Sequence, residues 1–178
     1  MHFFRGTRVK LQQKNSGRKK INMRKQKGFS LIELLIVVAI ILIIAAIAIP
    51  NLLRSRIAAN ESSAVGSIRS INTAEVTYAS TYPDAGFATA LSPVGPISGS
   101  TPTSSNAGLL DGVLGCGTQP CKKSGYQFSL SGTNTAYMVN GDPITPGQSG
   151  QRYFYSDGSG VIRFNNTGTA TAANAPLQ

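Results

Sequence analysis

Few side chains of this sequence could carry acid–base or metal chemistry. His2 is the only histidine, so a histidine-based catalytic pair or a multi-histidine metal site is excluded from the rest of the chain. The two cysteines are too few for an all-cysteine zinc site. Serine and threonine are abundant, but no base is evidently placed to activate one as a nucleophile. We therefore expect no enzyme, no metal ion and no cofactor.

One acid stands apart, because Glu33 lies in a stretch that is otherwise almost wholly apolar. The 21 residues 29–49 read FSLIELLIVVAIILIIAAIAI, and residues 34–49 include no polar side chain. As a helix they would be roughly 32 Å long, enough to cross a bilayer core of about 30 Å. A charged side chain costs about 2.5–3.5 kcal/mol at the bilayer centre and less near its edge. A plain membrane anchor has no use for such a residue.

The positive charge of the chain is confined to its N-terminus. The net charge is +10, and residues 1–28 hold ten Lys and Arg with no acid, whereas residues 29–178 hold seven bases and seven acids. By the positive-inside rule, the N-terminus stays cytoplasmic and the bulk of the chain lies outside. A nucleic-acid partner is not expected, since a solvated pair is the simpler interpretation of Lys122-Lys123. A cleaved secretory signal ending at Ala46-Ile47-Ala48 is an open alternative, as is a plain single-pass anchor.

Residues 27–34, KGFSLIEL, resemble the cleavage site of type IV prepilins and type II secretion pseudopilins. The shared features are a basic leader that ends in Gly28, the aromatic Phe29 after it, Glu33 at the fifth mature position, and an apolar helix closed by Pro50. The resemblance implies that a prepilin peptidase cuts between Gly28 and Phe29 and methylates the new amine of Phe29. It also implies that Glu33 sets the axial register of a filament by pairing with the amine of a neighbouring subunit.

The same resemblance implies the partners and the location of the protein. The partners are other copies in a homopolymer or mixed pilus filament, the prepilin peptidase/methyltransferase, the inner-membrane pilus assembly machinery, and the membrane itself. The chain would span the inner membrane once before assembly and form an extracellular or periplasmic filament afterwards.

Two alternatives stay open: a type II secretion pseudopilin, and a membrane-anchored extracytoplasmic binding protein that does not polymerise. Asp142 and Asp157 lack the clustered oxygen ligands of a calcium loop, which favours a pilin over a pseudopilin.

The sequence predicts an α+β fold in three parts. Residues 1–28 form the basic leader, and Met23 is the expected start because MRKQKG makes a short leader; a long leader from Met1 is the alternative. Residues 29–82 form one long helix, first transmembrane over residues 29–49 and then amphipathic. Residues 83–178 form a loop-rich head with a small antiparallel sheet that packs on the helix.

Apolar residues after Pro50 recur at helical spacing and predict one stripe that packs against the head. The stripe consists of Leu53, Ile57, Ala64, Ile68, Ile71 and Tyr78. The polar residues expected mostly off it are Arg54, Asn60, Glu61, Ser67, Asn72 and Glu75. Pro50 predicts a kink or local melting, and Pro83 predicts the end of the helix.

The head begins with a long surface loop, residues 83–123, rich in Pro, Gly and Ser. Cys116 and Cys121 near its end are expected to form a disulfide if this region is outside the cytoplasm; two free thiols are the alternative.

Four strands are predicted at residues 126–130, 136–140, 152–156 and 161–164, with Asp157-Gly158-Ser159-Gly160 as a hairpin turn between the last two. The sheet face on the helix is expected to bury Phe128, Met138, Phe154 or Tyr155, and Ile162 or Phe164. The tail after Phe164 is low in complexity and is expected to fray.

Overall fold

The computed structural model describes residues 28–177, so residues 1–27, which include the expected start Met23, lie outside the described residues. The elements are α1 (Leu31–Thr81), β1 (Cys121–Lys123), β2 (Tyr126–Thr133), β3 (Ala136–Pro143), β4 (Tyr153–Asp157) and β5 (Arg163–Asn165). This order confirms the predicted α+β class, with one long N-terminal helix followed by an antiparallel sheet. Internal contacts divide the chain into a unit that ends at Ile41 and a unit Leu42–Gln178, which are described in turn.

The first unit comprises the non-helical residues 28–30 and the opening turns of α1. Every described side chain in it is exposed, and its large apolar side chains range from Phe29 at 89% to Val38 at 44%. Within residues 28–41 no apolar side chain is buried, so helix hydrogen bonds and the Ser30–Glu33 hydrogen bond are what order this segment.

The second unit begins inside α1, which continues through Pro50 without interruption. Proline lacks its own N–H but leaves the hydrogen bonds of the flanking turns in place. The helix is therefore not melted at Pro50 in this conformation. The predicted kink at Pro50 remains a prediction. The helix ends at Thr81, before Pro83, as predicted.

The predicted stripe on α1 is confirmed for Ile57, Ala64, Ile68, Ile71 and Tyr78, which are all buried. Leu53 is 42% exposed, so its place in the stripe is wrong: burial on α1 starts one turn later, at Ile57. The expected exposure of Glu61, Ser67 and Glu75 is also wrong, because all three are buried. Glu61 and Glu75 alternate with the apolar residues at intervals of three and four, so they share the face that packs on the head.

The sheet is an antiparallel meander in the order β1-β2-β3-β4-β5. The sequence did not predict β1, a strand of only three residues between Pro120 and a turn. That turn is Ser124-Gly125, where both residues have positive φ, 48° and 77°. Two such residues form the turn whose twist matches that of the paired strands. A two-residue connection therefore joins β1 to β2.

Strand register decides which side chains enter the core. Leu130 lies opposite Val139, and Ser131 lies opposite Met138. Because paired residues share a face, Val139 joins Leu130 in the core and Met138 points away from it, 44% exposed. The predicted burial of Met138 is therefore wrong by one residue. The predicted burial of the other strands is confirmed by Phe128, Phe154, Tyr155 and Ile162.

The connection between α1 and β1 contributes to the core, contrary to its prediction as a surface loop. Leu91, Val94, Leu110 and Leu114 in it are buried. Cys116 and Cys121 form the expected disulfide, with their Cα atoms 5.7 Å apart. The loop is therefore held down both by apolar burial and by a covalent bond.

The C-terminal tail is ordered along β5, so the prediction that it frays is wrong. The N–H of Leu177 donates to the carbonyl of Ile162 at 2.7 Å, and the N–H of Phe164 donates to that of Ala175 at 3.1 Å. Ala170 is buried. The tail satisfies backbone groups that an edge strand otherwise leaves unpaired.

Candidate functional site

Glu33 lies in the first turn of α1 and caps the helix to which it belongs. Its Oε2 accepts a hydrogen bond from the backbone N–H of Ser30 at 2.9 Å. Ser30 immediately precedes the first helical residue, and its carbonyl accepts from the N–H of Leu34 at 3.2 Å. A Ser-x-x-Glu sequence in this position has the spacing of a capping box, of which the structure shows the bond from the Ser30 N–H to Glu33, and a carboxylate there also faces the positive end of the helix dipole. The sequence reasoning missed this local role, although the Ser-x-x-Glu spacing signals it.

The predicted cleavage residues Gly28 and Phe29 are adjacent, non-helical and exposed. A Cβ atom built on Gly28 meets no atom of the described residues within 4 Å. The fold of the described residues therefore does not require glycine at position 28. Any requirement for it would come from an enzyme that binds this segment.

The surface of α1 from Leu31 to Ile49 is apolar and uncovered. Its large side chains are between 44% and 78% exposed, with Val38 the least exposed and Leu31 the most. Among the residues that the structure describes, α1 is the one helix long and apolar enough to cross a membrane. So large an apolar surface requires lipid or protein around it.

Beyond the apolar surface, a partly buried ion pair joins α1 to the residue that precedes β4. Glu61 Oε2 accepts from Arg152 Nε at 2.8 Å, and Glu61 Oε1 accepts from the backbone N–H groups of Gln151 and Arg152. The Arg152 guanidinium also lies 5.6 Å from the ring centre of Phe154 and 5.7 Å from that of Phe164. Both oxygens of the Glu61 carboxylate therefore accept hydrogen bonds from the protein, which compensates for the loss of water around a side chain that is only 8% exposed.

A second acid on the same helix face, Glu75, is completely buried, and no cation of residues 28–177 forms an ion pair with it. Its Oε2 accepts from the N–H of Ala88 at 2.9 Å, while its Oε1 has no partner. Burial raises the pKa of Glu75 from 4.5 to about 7, and the hydrogen bond from Ala88 opposes the rise. Burial and, secondarily, the nearby Glu75 raise the pKa of Tyr137 to about 12.

The remaining candidate residues form no site. Among residues 28–177, no three His, Cys, Asp or Glu side chains group as metal ligands. Asp142 is partly buried, and this burial raises the pKa of its carboxyl. Lys123 pairs with Asp111 at 3.1 Å, and Lys122 is exposed. An open groove of about 450 Å³ borders α1 near Leu109, but Ser70, Thr73 and Thr77 in it already donate to helix carbonyls.

Sequence reasoning therefore identified the cysteine pair, while the roles of Gly28, Phe29 and Glu33 stay predictions. It missed Glu61 and Glu75. The signal for these two acids was present. They occupy the two gaps of an otherwise regular series at alternating spacings of four and three residues, from Ile57 to Tyr78. The partners of Glu61 lie about ninety residues further along the chain, and no local pattern indicates them.

An N-terminal Gly-Phe junction, a capped apolar helix and an antiparallel head together define a pilin-like class of membrane-associated protein. Comparison with known proteins agrees: residues 23–49 match the prokaryotic N-terminal methylation motif. The N-terminal part of this chain therefore carries the N-terminal methylation motif.

Two curated relatives are similar over short stretches. One is the type IV wide pilus major component PilA4 of Thermus thermophilus, 65% identical over 40 residues, which are 22% of this chain and 30% of that protein. Another is the type IV major pilin protein PilA of Myxococcus xanthus, 45% identical over 54 residues, 30% of this chain and 24% of that protein. The chain thus spans less than a third of the length of these relatives. No solved structure matches it.

Proposed function

We propose that this protein is a structural subunit of a type IV pilus, cut between Gly28 and Phe29 and polymerised through the N-terminal half of α1. The observation that carries the proposal is an uncovered apolar helix surface that includes a single acid, Glu33, within the N-terminal methylation motif. The proposed role is structural rather than catalytic.

The electrostatics of processing support this function. Cutting after Gly28 removes ten basic residues and leaves a mature chain with seven bases and seven acids. The leader holds the N-terminus in the cytoplasm, and its removal abolishes that ionic anchor. The apolar helix can then exchange lipid contacts for contacts with other copies.

Glu33 has a specific use in such a filament. In the single chain its carboxylate caps α1 through one oxygen, Oε2. In a staggered bundle of helices the carboxylate pairs with the α-amine of Phe29 on a neighbouring subunit. An acid and an amine in an apolar environment are costly apart and tolerable together, so the pair favours one axial register.

The location follows from the same chemistry. Before assembly the subunit is a single-pass protein of the inner membrane, with its N-terminus in the cytoplasm and its head outside. Its partners are other pilin copies, the peptidase that cuts and methylates it, and the inner-membrane assembly machinery.

The test is the intact mass and N-terminal sequence of the protein isolated from cells. The expected N-terminus is a methylated Phe29, whereas a start at Ile49 would instead identify a secretory signal. Gly28→Val should block cutting without disturbing the fold, because a side chain at position 28 meets no other atom of the described chain. Ser30→Ala, two residues away, serves as the matched control that should still be cut.

A further inference from the structure

The two arginines that follow the apolar segment form no ion pair with the described residues of the head. We propose that Arg54 and Arg56 bind the phosphate groups of phospholipids where α1 leaves the bilayer. The inference rests on the membrane-spanning role proposed above, and it adds a lipid-headgroup contact surface to that role.

Both arginines lie on a stretch of helix that is free of the head. Residues 51–56 are all exposed, and Ile57 is the first buried residue of α1. Within residues 28–177 the two ion pairs are Lys123–Asp111 and Arg152–Glu61, so neither Arg54 nor Arg56 is engaged by an acid of its own chain. Their guanidinium groups are available to an external anion.

The axial position of the arginines matches the headgroup layer. Arg54 and Arg56 follow Ile49, the last residue of the apolar segment, by five and seven residues. At the helical rise this is about 7.5 and 10.5 Å along the axis. The headgroup layer on each side of the hydrocarbon core is roughly 5–7 Å thick, and an arginine side chain can reach back several ångströms along the helix. Both groups can therefore meet phosphates when Ile49 lies at the core boundary.

The angular positions favour a helix that crosses the surface rather than one that lies on it. Side chains two residues apart on an α-helix are rotated by about 200° around the helix axis. Arg54 and Arg56 therefore project to opposite sides. A helix lying in the interface gathers its cations on one face. Cations on opposite sides suit a crossing helix that is surrounded by headgroups.

Lipid phosphate is the anion best suited to these sites before assembly. Arginine binds phosphate oxygens through paired N–H donors. Among the acids of a second copy, Glu61 and Glu75 are buried and Asp111 is paired with Lys123, whereas Asp84 is exposed, so crosslinks to such acids are one outcome that the test below distinguishes. Once the leader is removed, Arg54 and Arg56 are the basic side chains nearest the apolar segment. Their contacts with lipid phosphates hold the mature helix at one depth in the bilayer.

The test uses the full chain, extracted from membranes and placed in vesicles. One set of vesicles is phosphatidylcholine alone, and the other contains phosphatidylcholine and phosphatidylglycerol in equal amounts. A phospholipid with a photoactivatable headgroup labels the chain, and mass spectrometry locates the adducts. A second lipid, photoactivatable in its acyl chain, reports independently whether residues 31–49 are in the bilayer.

We expect headgroup adducts at residues 51–57, more of them with phosphatidylglycerol, and a fall of about fivefold for each arginine lost in Arg54→Gln/Arg56→Gln. Arg54→Lys/Arg56→Lys should retain most of the labelling. Arg69→Gln, an exposed arginine on the same helix but thirteen residues beyond Arg56, should leave it unchanged.

Equal headgroup labelling of the double glutamine variant and the unaltered chain would overturn the proposal. So would crosslinks from this region to acids of a second copy in place of lipid adducts. If the acyl-chain probe labels residues 31–49 in either case, the membrane-spanning role stands and only the lipid-phosphate contact fails. If that probe does not label them, the spanning role itself has failed.

Discussion

Glu61 on α1 and Arg152, which immediately precedes β4, form an ion pair of 2.8 Å between positions 91 residues apart in the sequence. The same carboxylate accepts two backbone N–H groups of the chain entering β4. Arg152 is partly exposed, whereas Glu61 is buried, so the acid depends on the pair more than the base does. The pair fixes the sheet to one position along the helix.

Glu61→Gln should lower the free energy of unfolding by about 2 kcal/mol, because it leaves Arg152 without its acid in a partly buried site. Unfolding of the full chain in detergent can be followed by near-ultraviolet circular dichroism of its six tyrosines, since the chain has no tryptophan. The matched control is Lys123→Gln, which breaks the more exposed Lys123–Asp111 pair and should cost less than about 0.5 kcal/mol. Equal losses in the two variants would contradict a special role for Glu61.

Glu75 should make the stability of the protein fall as the pH rises. Its pKa is about 7 in the folded chain and near 4.5 when exposed, so the folded state keeps a proton that the unfolded state has released between these values. The contribution of protonated Glu75 to the free energy of unfolding is fully present below pH 4.5 and is lost as the pH rises through 7. The free energy of unfolding should fall by up to about 3 kcal/mol over this range.

Glu75→Gln should remove this dependence and be the more stable protein at pH 8, because a neutral amide replaces a buried charge. Unfolding curves at several pH values between 4 and 8 measure the effect. Asp84→Asn, at an exposed acid, is the control that should retain the slope. A pH profile of Glu75→Gln that parallels the unaltered chain would show that Glu75 does not carry the effect.

Variants at the N-terminus of α1 can separate the capping role of Glu33 from its charge. Glu33→Gln keeps a residue that also serves in a capping box but removes the carboxylate. We expect this variant to remain in the membrane and to fail to enter filaments, as should Glu33→Ala. Ser30→Ala removes the N-cap hydroxyl but keeps the backbone N–H that donates to Glu33, so it should cost at most about 1 kcal/mol of helix stability and still assemble. Immunoblots measure pili in sheared fractions and the subunit in membranes. If Glu33→Gln assembled and Ser30→Ala did not, helix capping rather than the charge of Glu33 would be what assembly requires.

The disulfide should stabilise the head by a modest amount. Cys116 and Cys121 close a loop with a sequence separation of five, which is worth about 2 kcal/mol in the chain-entropy model. The neighbouring Gln119 also holds this loop, through hydrogen bonds of 2.6 and 2.9 Å to the backbone of Leu130. Cys116→Ser/Cys121→Ser should therefore shift the denaturation midpoint without unfolding the head. Complete loss of the near-ultraviolet signal would show that the bond is essential for the fold.

The sequence by itself determined the features that depend on local spacing and composition. The end of α1 before Pro83, the apolar stripe from Ile57 to Tyr78 and the alternation in β2 are readable because helices and strands repeat every 3.6 and every two residues. The proposed processing residues Gly28 and Phe29 and the proposed register residue Glu33 can be picked out because they occur together at fixed spacing beside an apolar helix.

Tertiary structure alone decided which side chains meet. The strand pairing turned Val139 inward and Met138 outward, because pairing with β2 selects one of two faces that the short sequence AYMVN leaves open. Packing of α1 against the head buried Glu61 and Glu75, which look like surface residues until a partner or an enclosing loop covers them. Such choices depend on contacts between residues far apart in the chain, and local periodicity contains no information about them.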